Sequence, residues 1–203
     1  YRSPDGSVNT QDSRINIAAN AKPSNSVGVN SIVVGYQNTT DDEDGTTALG
    51  ANNQAYGNSG LAVGNQNESR GGASTAIGAG NRASGAATVA IGNVSNANAK
   101  SAIAIGSYNN VNYKKGTWAT APLQAGAYST VVGNYSSATG RESAAMGVYS
   151  NSVGPGSFAA GYKENALGQN SVAIGSENTS HVADTITLGQ QNNAKTMGGI
   201  SIG

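Results

Sequence analysis

The sequence predicts an all-β solenoid built from coils of about fourteen residues. Three observations carry this prediction. Glycines that follow an apolar residue recur at a nearly constant step, the residues before them alternate with a period of two, and no window shows the 3.6-residue periodicity of a helix. Glycine also interrupts every stretch long enough to hold three helical turns.

The leading residues 1–24 fall outside this register, with Arg14-Ile15-Asn16-Ile17-Ala18 as a degenerate first strand. They are expected to cap the sheet edge that a solenoid must protect. From there on the marker glycines fall at 35, 50, 64, 78, 92, 106, 133, 147, 161, 175, 189 and 203. The step is fourteen except at two places. It is fifteen across the acidic run Asp41, Asp42, Glu43 and Asp44, and twenty-seven between 106 and 133, which is one coil plus thirteen inserted residues. The insertion, at about 110–126, has to leave the coil.

The four residues ending on each marker glycine read Thr-Ala-Ile-Gly (75–78), Val-Ala-Ile-Gly (89–92), Ile-Ala-Ile-Gly (103–106) and relatives. On a strand the first and third of these share one face and the second takes the other. Ile77, Ile91, Ile105, Val132, Ile174 and Leu188 are therefore expected to fill the interior of the coil stack. Ala76, Ala90, Ala104 and Ala173 would then form a smooth outer stripe that permits close packing between chains. A second strand is predicted around the small residue five positions after the glycine, as at Ala55, Ala83, Ala97 and Ala166. Asn or Ser three positions after the glycine, as at Asn53, Asn67, Asn81, Ser136 and Asn178, suits a tight turn.

Composition narrows the function classes. With 203 residues, 11 basic and 11 acidic side chains and no cysteine, the chain lacks the positive field of a nucleic-acid binder. One Trp, one Phe and two Met cannot build a conventional globular core, yet the regular spacing of Ile, Val and Leu argues for order. About two bulky side chains per coil are too few to offset the ordering of the backbone, so a homo-oligomer is predicted. Catalysis needs convergent titratable groups; the sole histidine, His181, reads as a surface side chain and the carboxylates are scattered. No enzyme, cofactor or metal is expected. The run at 41–44 lacks the alternation of a calcium loop, and Gly78-Ala79-Gly80-Asn81-Arg82-Ala83 imitates a dinucleotide fingerprint with no helix after it.

The segment Asn170-Ser171-Val172-Ala173-Ile174-Gly175 is similar to the signature of YadA-like heads of trimeric autotransporter adhesins. The resemblance covers residues from about 25 to 203 and returns in degenerate form in every coil. It implies a left-handed parallel β-roll assembled as a homotrimer and projected from the outer membrane on a bacterial cell surface. It also implies attachment to host extracellular matrix of the collagen, fibronectin or laminin class, or to other surfaces. Membrane anchoring is expected only through a C-terminal region beyond this chain. Lys114-Lys115-Gly116 resembles the Lys-Gly loops that interrupt some of these heads. The alternative is a spacer segment of a phage or bacterial surface fibre whose recognition site lies elsewhere.

The candidate ligand-binding residues lie where the repeat is decorated. Tyr36, Tyr108, Tyr135, Tyr149 and Tyr162 sit one or two positions after a marker glycine, which puts them on one corner of the coil. Four of them, Tyr108, Tyr135, Tyr149 and Tyr162, together with Trp118, Lys114 and Lys115 of the insertion, form the expected binding set. The competing readings are that the tyrosines simply cover a corner, and that Trp118, Pro122 and Leu123 pack down onto the roll or a neighbouring chain.

Overall fold

Each fourteen-residue repeat folds into one coil, consisting of a five-residue strand, a turn, a two-residue strand and a second turn. The computed structural model describes residues 15–18, 30–40, 43–111 and 126–203, which fall into two units, Tyr1–Asn93 and Val94–Gly203. In the first, the strand Ile15–Ala18 leads a parallel sheet continued by Ile32–Tyr36, Thr47–Ala51, Leu61–Asn65, Thr75–Ala79 and Val89–Asn93. A second parallel sheet carries Thr39–Thr40, Gln54–Ala55, Glu68–Ser69 and Arg82–Ala83. The second unit repeats the plan. Its long strands are Ile103–Ser107, Thr130–Asn134, Ala144–Val148, Phe158–Tyr162, Val172–Ser176, Ile186–Gln190 and Ile200–Ile202. Its short ones run from Asn96–Ala97 to Asn193–Ala194.

Register follows the marker glycines. Gly64 pairs with Gly50 and Gly78, so like residues stack on like in neighbouring rungs. The two irregular steps do not disturb this. Gly35 pairs with Gly50 although the step between them is fifteen, and Gly106 pairs with Gly133 across the insertion. The strands keep their phase across both steps, since a one-residue slip within a strand would exchange its two faces. Ile15 pairs with Ile32, so among the described residues Ile15–Ala18 is the strand that begins the stack.

The sidedness of the coil is the reverse of the expectation. Ala76, Ala90, Ala104 and Ala173 are fully buried inside a single chain and have no surface left to offer a partner. Ile77, Ile91, Val132 and Leu188 are only half-buried on the outer face, and Ile105 and Ile174 are exposed there. The physical reason is the narrowness of the coil. Ala48 and Ala62 of the long strands meet Ala55 of a short strand in one cluster, and Ala159, Ala166 and Ala173 do the same in the second unit. Across the same gap hydroxyl side chains are long enough to meet, as Ser180 Oγ of a short strand and Thr187 Oγ1 of a long strand do at 3.0 Å. Branched aliphatic side chains do not fit between walls this close.

Glycine at the marker position is a steric requirement. Gly78 has φ +121°, and a Cβ built there would lie 2.0 Å from the carbonyl oxygen of Gly92 in the next rung. Each coil also contains two left-handed turn residues. One column, two positions after the marker glycine, includes Gln37, Asn52, Gln66, Tyr108, Tyr135 and Tyr149 at φ between 51° and 56°. The amides of Asn52, Gln66, Tyr135 and Tyr149 bond to the preceding rung, for example Gln66 N–H to the Ala51 carbonyl and Tyr149 N–H to the Asn134 carbonyl. These bonds help hold side-chain-bearing residues in a conformation that glycine adopts freely.

A tyrosine row outside and a polar ladder behind it

The left-handed corner of the second unit carries the tyrosines. Tyr108 and Tyr135 are separated by the insertion in sequence but occupy adjacent rungs, with ring centroids 4.9 Å apart and planes 3° from parallel. Tyr149 continues the stack at 5.2 Å and 15°, and Tyr162 meets Tyr149 edge-on at 6.3 Å and 81°. The four side chains remain between 43% and 49% exposed. Stacking consumes ring faces, so the row shows solvent its phenolic edges and hydroxyls.

Beyond the tyrosines the corner turns polar. Lys163 lies over the Tyr162 ring with its Nζ 4.9 Å from the centroid, and donates to Glu177 Oε1 at 3.3 Å. Gln191 Nε2 donates to the other oxygen of Glu177 at 3.0 Å. Contact with Tyr162, and then with Glu177, raises the Lys163 pKa above its ordinary value. The bonds from Gln191 and then Lys163 lower that of Glu177. Both groups are solvated, so these shifts describe a surface network rather than a source of stability.

Directly behind this corner, inside the coil, runs a ladder of polar side chains three positions after each marker glycine. In the first unit it is Asn38, Asn53, Asn67 and Asn81, all essentially unexposed. Asn67 Nδ2 donates to the Val63 carbonyl at 2.9 Å, to the Gly78 carbonyl at 2.7 Å and to Asn53 Oδ1 at 3.0 Å. Its own Oδ1 accepts from the amide and side chain of Asn81 at 3.1 and 2.9 Å. In the second unit the ladder is Ser95, Asn109, Ser136, Ser150, Glu164, Asn178 and Asn192. The turn-forming role expected of these positions is thus joined by a load inside the coil.

Glu164 is the member that residue type alone conceals. Three positions after Gly161, it occupies the ladder register, and that spacing was the available signal. It is fully buried; Oε1 accepts from the amide and side chain of Asn178 at 3.3 and 3.1 Å, while Oε2 has no hydrogen-bond partner. Burial pushes its pKa up, against the opposing bonds from Asn178.

The other expected residues divide. Tyr108, Tyr135, Tyr149 and Tyr162 come together, whereas Lys114, Lys115 and Trp118 lie outside the described residues. His181 is exposed. Among the described residues, no group of three or more His, Asp or Glu side chains is placed to hold a metal ion.

The YadA head domain repeat (2 copies) matches residues 26–53, 42–67, 69–95, 83–109, 125–150, 138–163 and 165–180, well over half of the chain. The chain belongs to the YadA head family. This is a family of adhesin-type surface proteins of the trimeric autotransporter kind, not of enzymes. A comparison with curated proteins finds no significant match.

The YadA head signature can be read residue by residue at 170–175. Asn170 takes the second left-handed turn, at φ 52°, and its side chain donates to Asp184 Oδ1 of the next rung at 3.1 Å. Ser171 is buried and its hydroxyl caps the Gly168 carbonyl at 2.7 Å. Val172 and Ile174 face outward, Ala173 faces the narrow interior, and Gly175 holds φ +127° beneath the next rung's carbonyl. Each letter of the YadA head repeat therefore answers a separate steric or hydrogen-bonding demand.

Proposed function

We infer that this YadA head is the adhesive part of a trimeric surface adhesin, displayed on a bacterial cell surface and attached to host extracellular matrix or a similar surface through the Tyr108, Tyr135, Tyr149 and Tyr162 row. The observation that carries the reading is the conformation of three of those tyrosines. A bulky residue at positive φ costs about 1–2 kcal/mol relative to glycine. Aromatic stacking returns roughly 0.5–1.5 kcal/mol per pair. The row is therefore close to neutral for the fold, and half of each side chain is left in solvent. Contact with something outside the chain gives it a purpose.

The test uses asparagine, which accepts the left-handed turn without strain. The double variant Tyr135→Asn/Tyr149→Asn is expected to melt within about 2 °C of the parent. In solid-phase assays on collagen, fibronectin and laminin coatings, it should lose at least about tenfold in binding to whichever coating the parent retains. Undiminished binding would move recognition off the row, in keeping with a head that serves as a spacer.

Three copies are proposed to meet through the outer face of the long-strand sheet, where the bulky residues displaced from the interior are found. Ile105, Met146 and Ile174 are 37% to 44% exposed in the isolated chain. A flat apolar face of this kind needs a cover. Sedimentation equilibrium should return three times the chain mass. Ile105→Lys/Ile174→Lys should shift the protein toward monomer, with each charge placed on that face costing on the order of 2 kcal/mol or more. A monomeric parent would remove this arrangement.

A further inference from the structure

At every other ladder position of both units, the side chain donates to the carbonyl of the marker glycine in the following rung. Asn38, Asn53, Asn67, Asn81, Ser95, Asn109, Ser136, Ser150, Asn178 and Asn192 all do so, at 2.7 to 3.0 Å. The ladder residues are amides and alcohols, each with a hydrogen to give. An ionised carboxylate has none. At Glu164 the corresponding acceptor is the Gly175 carbonyl, eleven residues on, as Gly161 is from Ser150 and Gly189 from Asn178. A buried oxygen without a partner, Glu164 Oε2, thus coincides with a rung that lacks its side-chain donor.

We propose that Glu164 is held inside the roll as the neutral carboxylic acid, with a proton on Oε2 standing in for the ladder hydrogen toward Gly175. The second unit is then a stack that tightens on acidification and loosens as Glu164 ionises. Among the described residues no counter-charge acts on this carboxyl. The ladder neighbours Ser150 and Asn178 are neutral, as are the interior residues Ala159, Ala166 and Ala173. On the flanking turns the charged groups are Lys163 and Glu177, which pair with each other in solvent, and Tyr149 and Tyr162 are exposed. A cation would require several oxygen ligands and the room to arrange them. The proton requires only the hydrogen-bond site that the other rungs already use.

The direction of the pH dependence follows from linkage. Desolvation holds the folded-state pKa of Glu164 above the ordinary glutamate value of about 4.3. The stabilisation from the neutral acid is therefore fully present below that ordinary value and is lost as pH rises through the folded-state pKa. Other carboxylates, such as Glu177, act in the opposite sense, so the comparison must be with a variant altered at Glu164 alone.

The experiment measures thermal midpoints of the full chain and of Glu164→Gln, a neutral isostere with a donor, from pH 4 to pH 8. Glu164→Gln is expected to melt roughly 3–8 °C above the parent at pH 8, with the gap narrowing by at least half by pH 4. A gap that is constant with pH, or that widens in acid, overturns the proposal. Should Glu164→Gln fail to fold, infrared difference spectra of the parent decide the matter. A protonated-carboxyl stretch that survives at a pH where ordinary glutamates are ionised is the expected result, and its absence overturns the assignment. Parent midpoints at pH 8 should be equal in sodium, potassium and choline chloride at matched ionic strength; a gain specific to sodium or potassium would replace the proton with a cation and also overturn it.

Discussion

Gly78→Ala is expected to destabilise the first unit by more than about 4 kcal/mol, a class of effect reserved for a short list of causes. Two of those causes act together here. The backbone at Gly78 sits at φ +121°, where an L side chain is strained, and the added Cβ would stand 2.0 Å from the Gly92 carbonyl oxygen and 3.0 Å from Asn81 Nδ2. Neither neighbour can yield. The carbonyl belongs to a strand paired residue for residue with the one that carries Gly78, and Asn81 Nδ2 already donates to the Ile77 and Gly92 carbonyls. Relief requires opening the rung, and in a stack each coil is held chiefly by its two neighbours.

Gly72→Ala supplies the contrast. Gly72 is exposed, its φ lies outside the left-handed region, and the nearest atom to a Cβ there is the Asn58 carbonyl oxygen at 4.0 Å. That substitution should stabilise by about 0.4–1 kcal/mol through the unfolded chain. Urea denaturation followed by circular dichroism measures both. Equal effects from the two alanines would show that the marker glycines are not sterically constrained by the rung above.

The contrast between these glycines marks how far the sequence alone specifies the coil. Coil length and strand phase were readable because both are imposed by the marker glycine, which must recur wherever one rung lies under the carbonyl of the next. Sidedness was not. A period of two shows that Ile77 and Thr75 share a face and Ala76 takes the other, and that pattern is unchanged if inside and outside are exchanged. What decides is the separation of the two walls, a property of the closed coil. The habit of placing isoleucine within fails when the opposite wall is a two-residue strand such as Gln54–Ala55.

The candidate site was legible to a similar depth. Spacing put Tyr108, Tyr135, Tyr149 and Tyr162 on one corner. The contact of Tyr108 with Tyr135 was hidden because the insertion puts them 27 positions apart, and only the in-phase pairing of Gly106 with Gly133 brings the rings into adjacent rungs. Glu164 was hidden differently. Its position matched the ladder, but a carboxylate reads as a solvated side chain until its burial is seen.

The interior ladder leads to the second large effect, at Asn67. Its side chain makes three donor contacts and accepts two, all within 3.1 Å. Asn67→Ala removes them together and strands the Gly78 carbonyl's side-chain donor site and the Asn81 amide in the interior, where each unsatisfied group costs about 1–3 kcal/mol. A total of about 4 kcal/mol is expected, since neighbouring deletions are not additive. Asn67→Ser should cost far less, about 1–2 kcal/mol. Serine at the same register keeps the two links that matter most: Ser136 Oγ donates to the Gly147 carbonyl at 3.0 Å and accepts from the Ser150 amide at 3.1 Å. Asn67→Asp should be the worst of the three at neutral pH and the only one to recover in acid. It has the shape of asparagine, but turns its donor into a second acceptor facing two carbonyls and Asn53 Oδ1. Denaturant midpoints at pH 4 and pH 8 would establish the order serine, alanine, aspartate. Alanine and serine falling together would mean that small size, and not the hydrogen-bonded ladder, is what this position demands.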